Sequence, residues 1–206
     1  MLDAVNICLE NIGEQPVDSL ENQQIQDARV AERTILEFHK EAQTCGWSWN
    51  TELNVAFAPD TVTHRITLSP DIVEFVVNPY QWNGRFQARG SMVFDMENKT
   101  YEIDDQEFPT INADIVRLLS WDESPETFNR WITIRAARVY SDRALGSEAL
   151  FKYTVKDEED AKAEVEKMEL AQNHANILTG GFASFPTYQP GLGLANRRIA
   201  GGLAWY

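Results

Sequence analysis

Residues 23–57 read QQIQDARVAERTILEFHKEAQTCGWSWNTELNVAF, and their apolar period changes partway along. Ala28, Ala31, Ile35, Phe38, Ala42 and Cys45 recur at alternating steps of three and four. That spacing puts them on one face of an α-helix and predicts a helix over about Gln23–Cys45. The stripe is narrow and rich in small residues, which suits close packing against a partner helix. Gly46 is a natural stop. From Leu53 to Phe57 the chain reads instead as a short strand. Helix and strand thus meet within a few residues, and the fold class depends on how each pattern continues outward.

Toward the N-terminus, Val5, Cys8, Leu9 and Ile12 share a helical face, which predicts a short helix over Leu2–Ile12 closed by Gly13. Toward the C-terminus the β pattern persists. Strands are expected at Arg65–Leu68, Ile72–Val77, Arg85–Arg89, Met92–Asp95, Thr100–Ile103 and Ile111–Leu119. Pro59, Pro70, Asn83-Gly84 and Gly90 separate them, and strands this short with turns between favour an antiparallel sheet. Helix returns after Ser124-Pro125, a favoured N-cap followed by a favoured first helical residue. A last helix is expected from about Gly146-Ser147 to Leu178, with a possible break near Tyr153–Asp157. Its apolar face would hold Ala161, Val165, Met168, Ala171, Ala175 and Leu178. Segregated elements of this kind argue α+β. The expected architecture is a helical bundle of long helices with an inserted antiparallel β-sheet layer. Residues 1–50 and 121–178 would supply the bundle, residues 51–120 the β-rich region, and residues 179–206 an extended Gly/aromatic-rich C-terminal arm. In that arm Phe182, Phe185, Tyr188, Trp205 and Tyr206 are set among glycines, the composition of a segment that orders on a partner.

The 206 residues suit one domain or two small layers folded as a unit, and the net charge is −14. That balance opposes phosphate neutralisation and attraction to anionic headgroups, so neither a nucleic-acid-binding module nor a membrane-surface protein is expected. Met1-Leu2-Asp3-Ala4 lacks the basic and apolar regions of a signal peptide. A soluble protein folding in a reducing cytosol is expected. Cys8 and Cys45 read as small core hydrophobes on helix faces, with a disulfide as the alternative.

Motifs for chemistry are sparse. His39, His64 and His174 are far apart and lie in no ligand-type motif, so no metal and no cofactor is expected. No nucleophile elbow or phosphate loop occurs. Carboxylates are abundant, and Asp104, Asp105 and Glu107 cluster in a turn region. Two carboxyls across a cleft would serve a glycosidase, but a solvated turn is the simpler reading. Asp157, Glu158, Glu159 and Asp160 suit the N-terminal end of a helix. Trp47 and Trp49 are read as core where helix meets sheet, with a sugar platform as the alternative. Arg130, Arg135, Arg138 and Arg143 on the helix after Pro125 would pair with acids, either on a neighbouring subunit or within the chain.

Several ordered stretches resemble the tail tubular protein A family, the head-to-tail adaptors of short-tailed, podovirus-type phages. Ala4-Val5-Asn6 through Ile12-Gly13-Glu14-Gln15-Pro16-Val17 is similar to the family's opening. Gly46-Trp47-Ser48-Trp49-Asn50 resembles its Gly-Trp-x-aromatic-Asn segment. Pro125-Glu126-x-Phe128-x-x-Trp131-Ile132, with Arg135-Ala136-Ala137-Arg138, resembles its central helix. Glu158-Glu159-x-Ala161 and Asn176-Ile177-Leu178 resemble its last helix. The likeness runs from residue 4 to residue 178, is weaker through the strands, and leaves the segment after Leu178 unplaced.

The resemblance implies a structural subunit, not an enzyme. It implies a homo-oligomeric ring, generally of twelve copies, between the portal protein and the tail nozzle protein. Genomic DNA would pass through the channel without specific binding. The virion tail would be its location, after assembly in the host cytoplasm. Phe182, Phe185, Tyr188, Trp205, Tyr206, Arg130 and Arg138 are then candidates for the subunit, portal or nozzle interface. Two other functions compete: a tail-associated polysaccharide or peptidoglycan hydrolase using a carboxylate pair, and an acidic decoy for a host protein.

Overall fold

The structure is a computed structural model, and it describes residues 1–21, 26–77, 84–145 and 154–172. In chain order the elements are α1 (Leu2–Asn11), α2 (Gln26–Gln43), β1 (Thr51–Phe57), β2 (Ile72–Val77), β3 (Phe86–Arg89), β4 (Met92–Asp95), β5 (Ile111–Arg117), α3 (Glu126–Leu145) and α4 (Val155–Gln172). The class is α+β. The chain forms two compact units. One joins Met1–Ala42 to the stretch beginning at Leu119, and the other is Gln43–Leu118.

In the helical unit, α3 is the element against which the others pack. Phe128, Trp131, Ile132, Ala136, Ala137 and Tyr140 are all buried along it. α1 applies Ala4, Val5, Cys8 and Leu9 to α3, and its Asn11 Nδ2 donates to the Ala137 carbonyl at 3.1 Å and to the Ser141 hydroxyl. α2 buries the expected seam of Ala28, Ala31, Ile35, Phe38 and Ala42. The Tyr140 hydroxyl donates to the Asp27 carbonyl (3.2 Å), and the Arg135 guanidinium lies 4.6 Å from the centre of the Phe38 ring. α4 lies along α3 and buries Val165.

One helix end differs from expectation, and another falls at the break expected near Tyr153–Asp157, the expected start at Gly146-Ser147 lying outside the described residues. α2 ends at Gln43, so Cys45 lies beyond it and is half-buried. The cause is Asn50, whose Nδ2 takes the Gln43 carbonyl at 3.0 Å while its Oδ1 accepts from the Trp47 amide at 2.8 Å. A side chain thus supplies the donor a further helical turn would have supplied. Gly46 makes the turn with φ +70°, and a Cβ there would meet Val116 Cγ2 at 3.1 Å. α4 begins at Val155, because Thr154 and Asp157 form a reciprocal cap. The Thr154 amide and hydroxyl each donate to Asp157 Oδ2 at 2.7 Å, and the Asp157 amide donates back to Thr154 Oγ1 at 3.3 Å. On its packed face Glu169 is buried where Ala171 was expected, and Ala171 is exposed. Ser124 does not cap α3. Its hydroxyl donates to the Ser120 carbonyl at 2.9 Å and lies 2.9 Å from His39 Nε2. The expected arm, and the expected helix beyond Gln172, lie outside the described residues.

In the β unit a three-stranded antiparallel sheet runs β1-β5-β2, and β3-β4 forms a separate hairpin. β5 is central, and its Ile111, Ala113, Ile115 and Val116 are fully buried. This explains its near-continuous apolar run, since a strand covered on both faces does not alternate. Ile111, Ala113 and Ile115 join Ile66, Leu68, Phe75, Phe86, Val93, Ile103 and Phe108 in one core. β1 carries a bulge between Glu52 and Val55, with Asn54 at φ +57° and its amide donating to Asp114 Oδ1 at 2.8 Å. The strands expected at Arg65–Leu68 and Thr100–Ile103 reduce to single bridges, Thr67 to Met92 and Asp95 to Thr100. Strand Ile111–Leu119 is shorter than expected and stops at Arg117.

Candidate interaction surface

Four arginines organise the charged surface. Arg85, just before β3, reaches Asp95 (2.9 Å), Glu97 (3.1 Å) and Glu107 (3.6 Å). Its guanidinium also sits 4.5 Å from the centre of the Phe108 ring. Burial alone would raise the Asp95 pKa. Hydrogen bonds from Arg85 and from the Asn98 and Glu97 amides outweigh it and hold the carboxyl below its ordinary value. Arg117 at the end of β5 reaches Asp71 (2.6 Å) and Glu52 (2.7 Å). Hydrogen bonds from Ser69 and then Arg117 lower the Asp71 pKa. In the helical unit, Glu158 of α4 takes Arg138 at 2.7 Å and Arg135 at 3.7 Å, and Arg135 also reaches Glu41 of α2 at 3.1 Å.

Arg138, read from sequence as an interface residue, therefore has its charge matched within the chain. Arg130 stands differently. It is exposed and has no ion-pair partner among the described residues. It lines a cleft of about 430 Å³ between α1 and α3, with Asp3, Ile7, Trp121, Asn129 and Thr133 among its walls. Asn129 is buried, and its Nδ2 donates to the Trp121 carbonyl at 2.8 Å. Phe182, Phe185, Tyr188, Trp205 and Tyr206 lie outside the described residues, as does His174.

The candidate chemical groups are spent on structure. Asp104 Oδ1 accepts from the Gln106 amide at 2.9 Å within the turn. Asp105 lies 3.8 Å from His64, and Glu107 pairs with Arg85. Cys8 is buried and its thiol is pushed up to about 12 by desolvation, so it holds its proton. His39 is pushed down to about 4 by burial between the Trp121 and Phe128 rings. Trp47 is buried, as expected of a core aromatic, and Trp49 is half-buried. Among the described residues no group of three His, Cys, Asp or Glu side chains is placed to hold a metal. No helix among them is long and apolar enough to cross a membrane.

What sequence reading missed is the clasp at Asn50, although the Gly-Trp-x-Trp-Asn stretch contained it. Besides Gln43 and Trp47, Asn50 Nδ2 donates to the Arg117 carbonyl at 2.9 Å. Gly46 and Asn50 are thus required by backbone geometry and by buried hydrogen bonds. A polar side chain in an aromatic turn was the available signal.

No curated protein matches the chain. Residues 2–175 match the family described as Tail tubular protein, and this span takes in both helical stretches and the whole inserted sheet. The chain is a member of the tail tubular protein family, and hence a structural component of a phage tail.

Proposed function

We propose that the chain is the adaptor type of tail tubular protein, acting structurally and not as a catalyst. Copies of it form a ring, of twelve by the resemblance, between the portal protein and the tail nozzle protein. Genomic DNA passes through the ring's channel, and assembly takes place in the host cytoplasm. The observation that carries this reading is the family match across residues 2–175, a span that contains the adaptor-like motifs at Gly46–Asn50 and Pro125–Arg138. The net charge of −14 supports it, because a conduit with acidic walls repels passing phosphates instead of gripping them. The hydrolase reading gains no support from the geometry: Asp104, Asp105 and Glu107 serve a turn, a histidine and an arginine. Arg130 in its cleft, and the segment with Phe182, Phe185, Tyr188, Trp205 and Tyr206, are the proposed contacts to neighbouring subunits, portal or nozzle.

Negative-stain imaging and native mass spectrometry of the purified chain test the proposal, alone and mixed with portal or nozzle protein. A closed ring that captures both partners is expected. A chain that stays monomeric and binds neither removes the adaptor reading.

A further inference from the structure

Two outward helix faces in the helical unit carry opposite charge at the same spacing. On α2, Arg29, Arg33, Leu36 and Lys40 follow steps of four, three and four, so they form one stripe. All four are exposed, Leu36 at 45 %. The three cations have no ion-pair partner among the described residues. The stripe itself carries no acid, and Glu32 and Glu37 flank it on the same helix. It borders an open groove of about 780 Å³ whose walls include Leu20, Val30 and Leu36. On α4, Glu159, Ala163, Glu166 and Leu170 repeat the same steps. Leu170 is 44 % exposed, Glu159 and Ala163 are exposed, and among the described residues Glu166 pairs only with Lys162 of its own helix, at 3.7 Å. α4 as a whole sets seven carboxylates against three lysines.

We infer that the α2 stripe of one copy docks antiparallel on the α4 stripe of the next. Antiparallel alignment places Lys40 opposite Glu159, Leu36 opposite Ala163, Arg33 opposite Glu166, and the Arg29 stem along Leu170. A large apolar residue then meets a small one, and both acids meet cations. Parallel alignment would set Leu36 against Glu166 and Arg33 against Ala163. The stripes share the steps of a coiled-coil seam, so they stay in register along their length. Two α2 stripes would repel each other, so the contact is not self-complementary. It joins unlike faces, head to tail, which is the contact type that generates rings.

This inference rests on the ring proposed above and assigns its lateral surface. The test uses the full chain and two exposed double variants, R33E/K40E and E159K/E166K. Each is first shown to keep the wild-type circular dichroism and melting temperature. Light scattering and native mass spectrometry then follow assembly at low salt. Each variant alone carries like charges on both faces and should need ~10-fold or more higher concentration to assemble. A one-to-one mixture should assemble as the wild type does, because each variant's faces complement the other's. The single-chain swap K40E/E159K should also assemble alone. A variant that assembles like the wild type, or a mixture and a swap that both fail to restore assembly, overturns this surface and leaves the ring intact. A wild-type chain that is monomeric at every concentration overturns the ring and the surface together.

Discussion

His39 is 4 % exposed, with its ring 5.2 Å from Trp121 and 5.6 Å from Phe128, and Nε2 facing the Ser124 hydroxyl. Burial lowers its pKa from 6.5 to about 4, so the folded chain holds it neutral while the unfolded chain protonates it first. Stability from this site is therefore fully present above pH 6.5 and drains away as pH falls toward 4, by about 3 kcal/mol in all. Urea melts across that window should show the loss, and His39→Gln should flatten it. Asp95 contributes through its charged form. Its carboxylate, 1 % exposed, accepts from Arg85, from the Glu97 and Asn98 amides and from Asn98 Nδ2. Asp95→Asn strips a half-buried cation of its nearest anion and should cost about 2 kcal/mol in urea denaturation, a figure moderated by Glu97 and Glu107, which remain. Arg138 shows the limit of reading single residues. Its position on a helix was plain from sequence, but its partner Glu158 sits on the next helix. No local pattern chooses between that acid and one on another subunit.

At the scale of elements, sequence signals succeeded where two of them agreed. Ile72–Val77 and Met92–Asp95 match as expected, because an apolar run and flanking turn residues mark the same bounds. The α2 seam matches because its stripe is narrow and uninterrupted. Thr67 and Thr100 fell short because a strand needs a partner as well as propensity. Asp95 captures the Glu97 and Asn98 amides and turns the chain before Thr100 can extend a ladder. On α4 the period was right but the face was rotated, since several small residues left two faces nearly equal in apolarity and Glu169 was not recognisable as buried. The Thr154-x-x-Asp157 cap was legible and was read only as a break. Thr154→Ala should therefore cost about 1 kcal/mol, and hydrogen exchange should show it first in the opening turn of α4. Gly46→Ala should cost about 1–2 kcal/mol, because φ +70° is strained for alanine and Val116 crowds the new methyl. Thermal melts of the two variants measure both.

For the whole molecule, charge sets the behaviour toward DNA. A conduit subunit of net charge −14 should leave duplex DNA unretarded in gel shifts at physiological salt, and retardation there would contradict a passive channel. The family could be read from ordered motifs, and the α+β class from the order of helical and strand patterns. The pairing of charges across helices could not, because it depends on which faces the packing leaves outside.

The clasp at Asn50 has one more consequence. Gln43, where the sheet unit begins, and Arg117, one residue before it ends, both bond to the same side-chain amide. The entry and exit of the insertion are therefore only a few ångströms apart, and the helical unit experiences the sheet as a short loop. Such a cassette can change length, surface or binding preference without disturbing the host that carries it. Replacing Gln43–Leu118 with a short Gly/Ser bridge should leave a folded helical protein with the dichroism of α1 to α4.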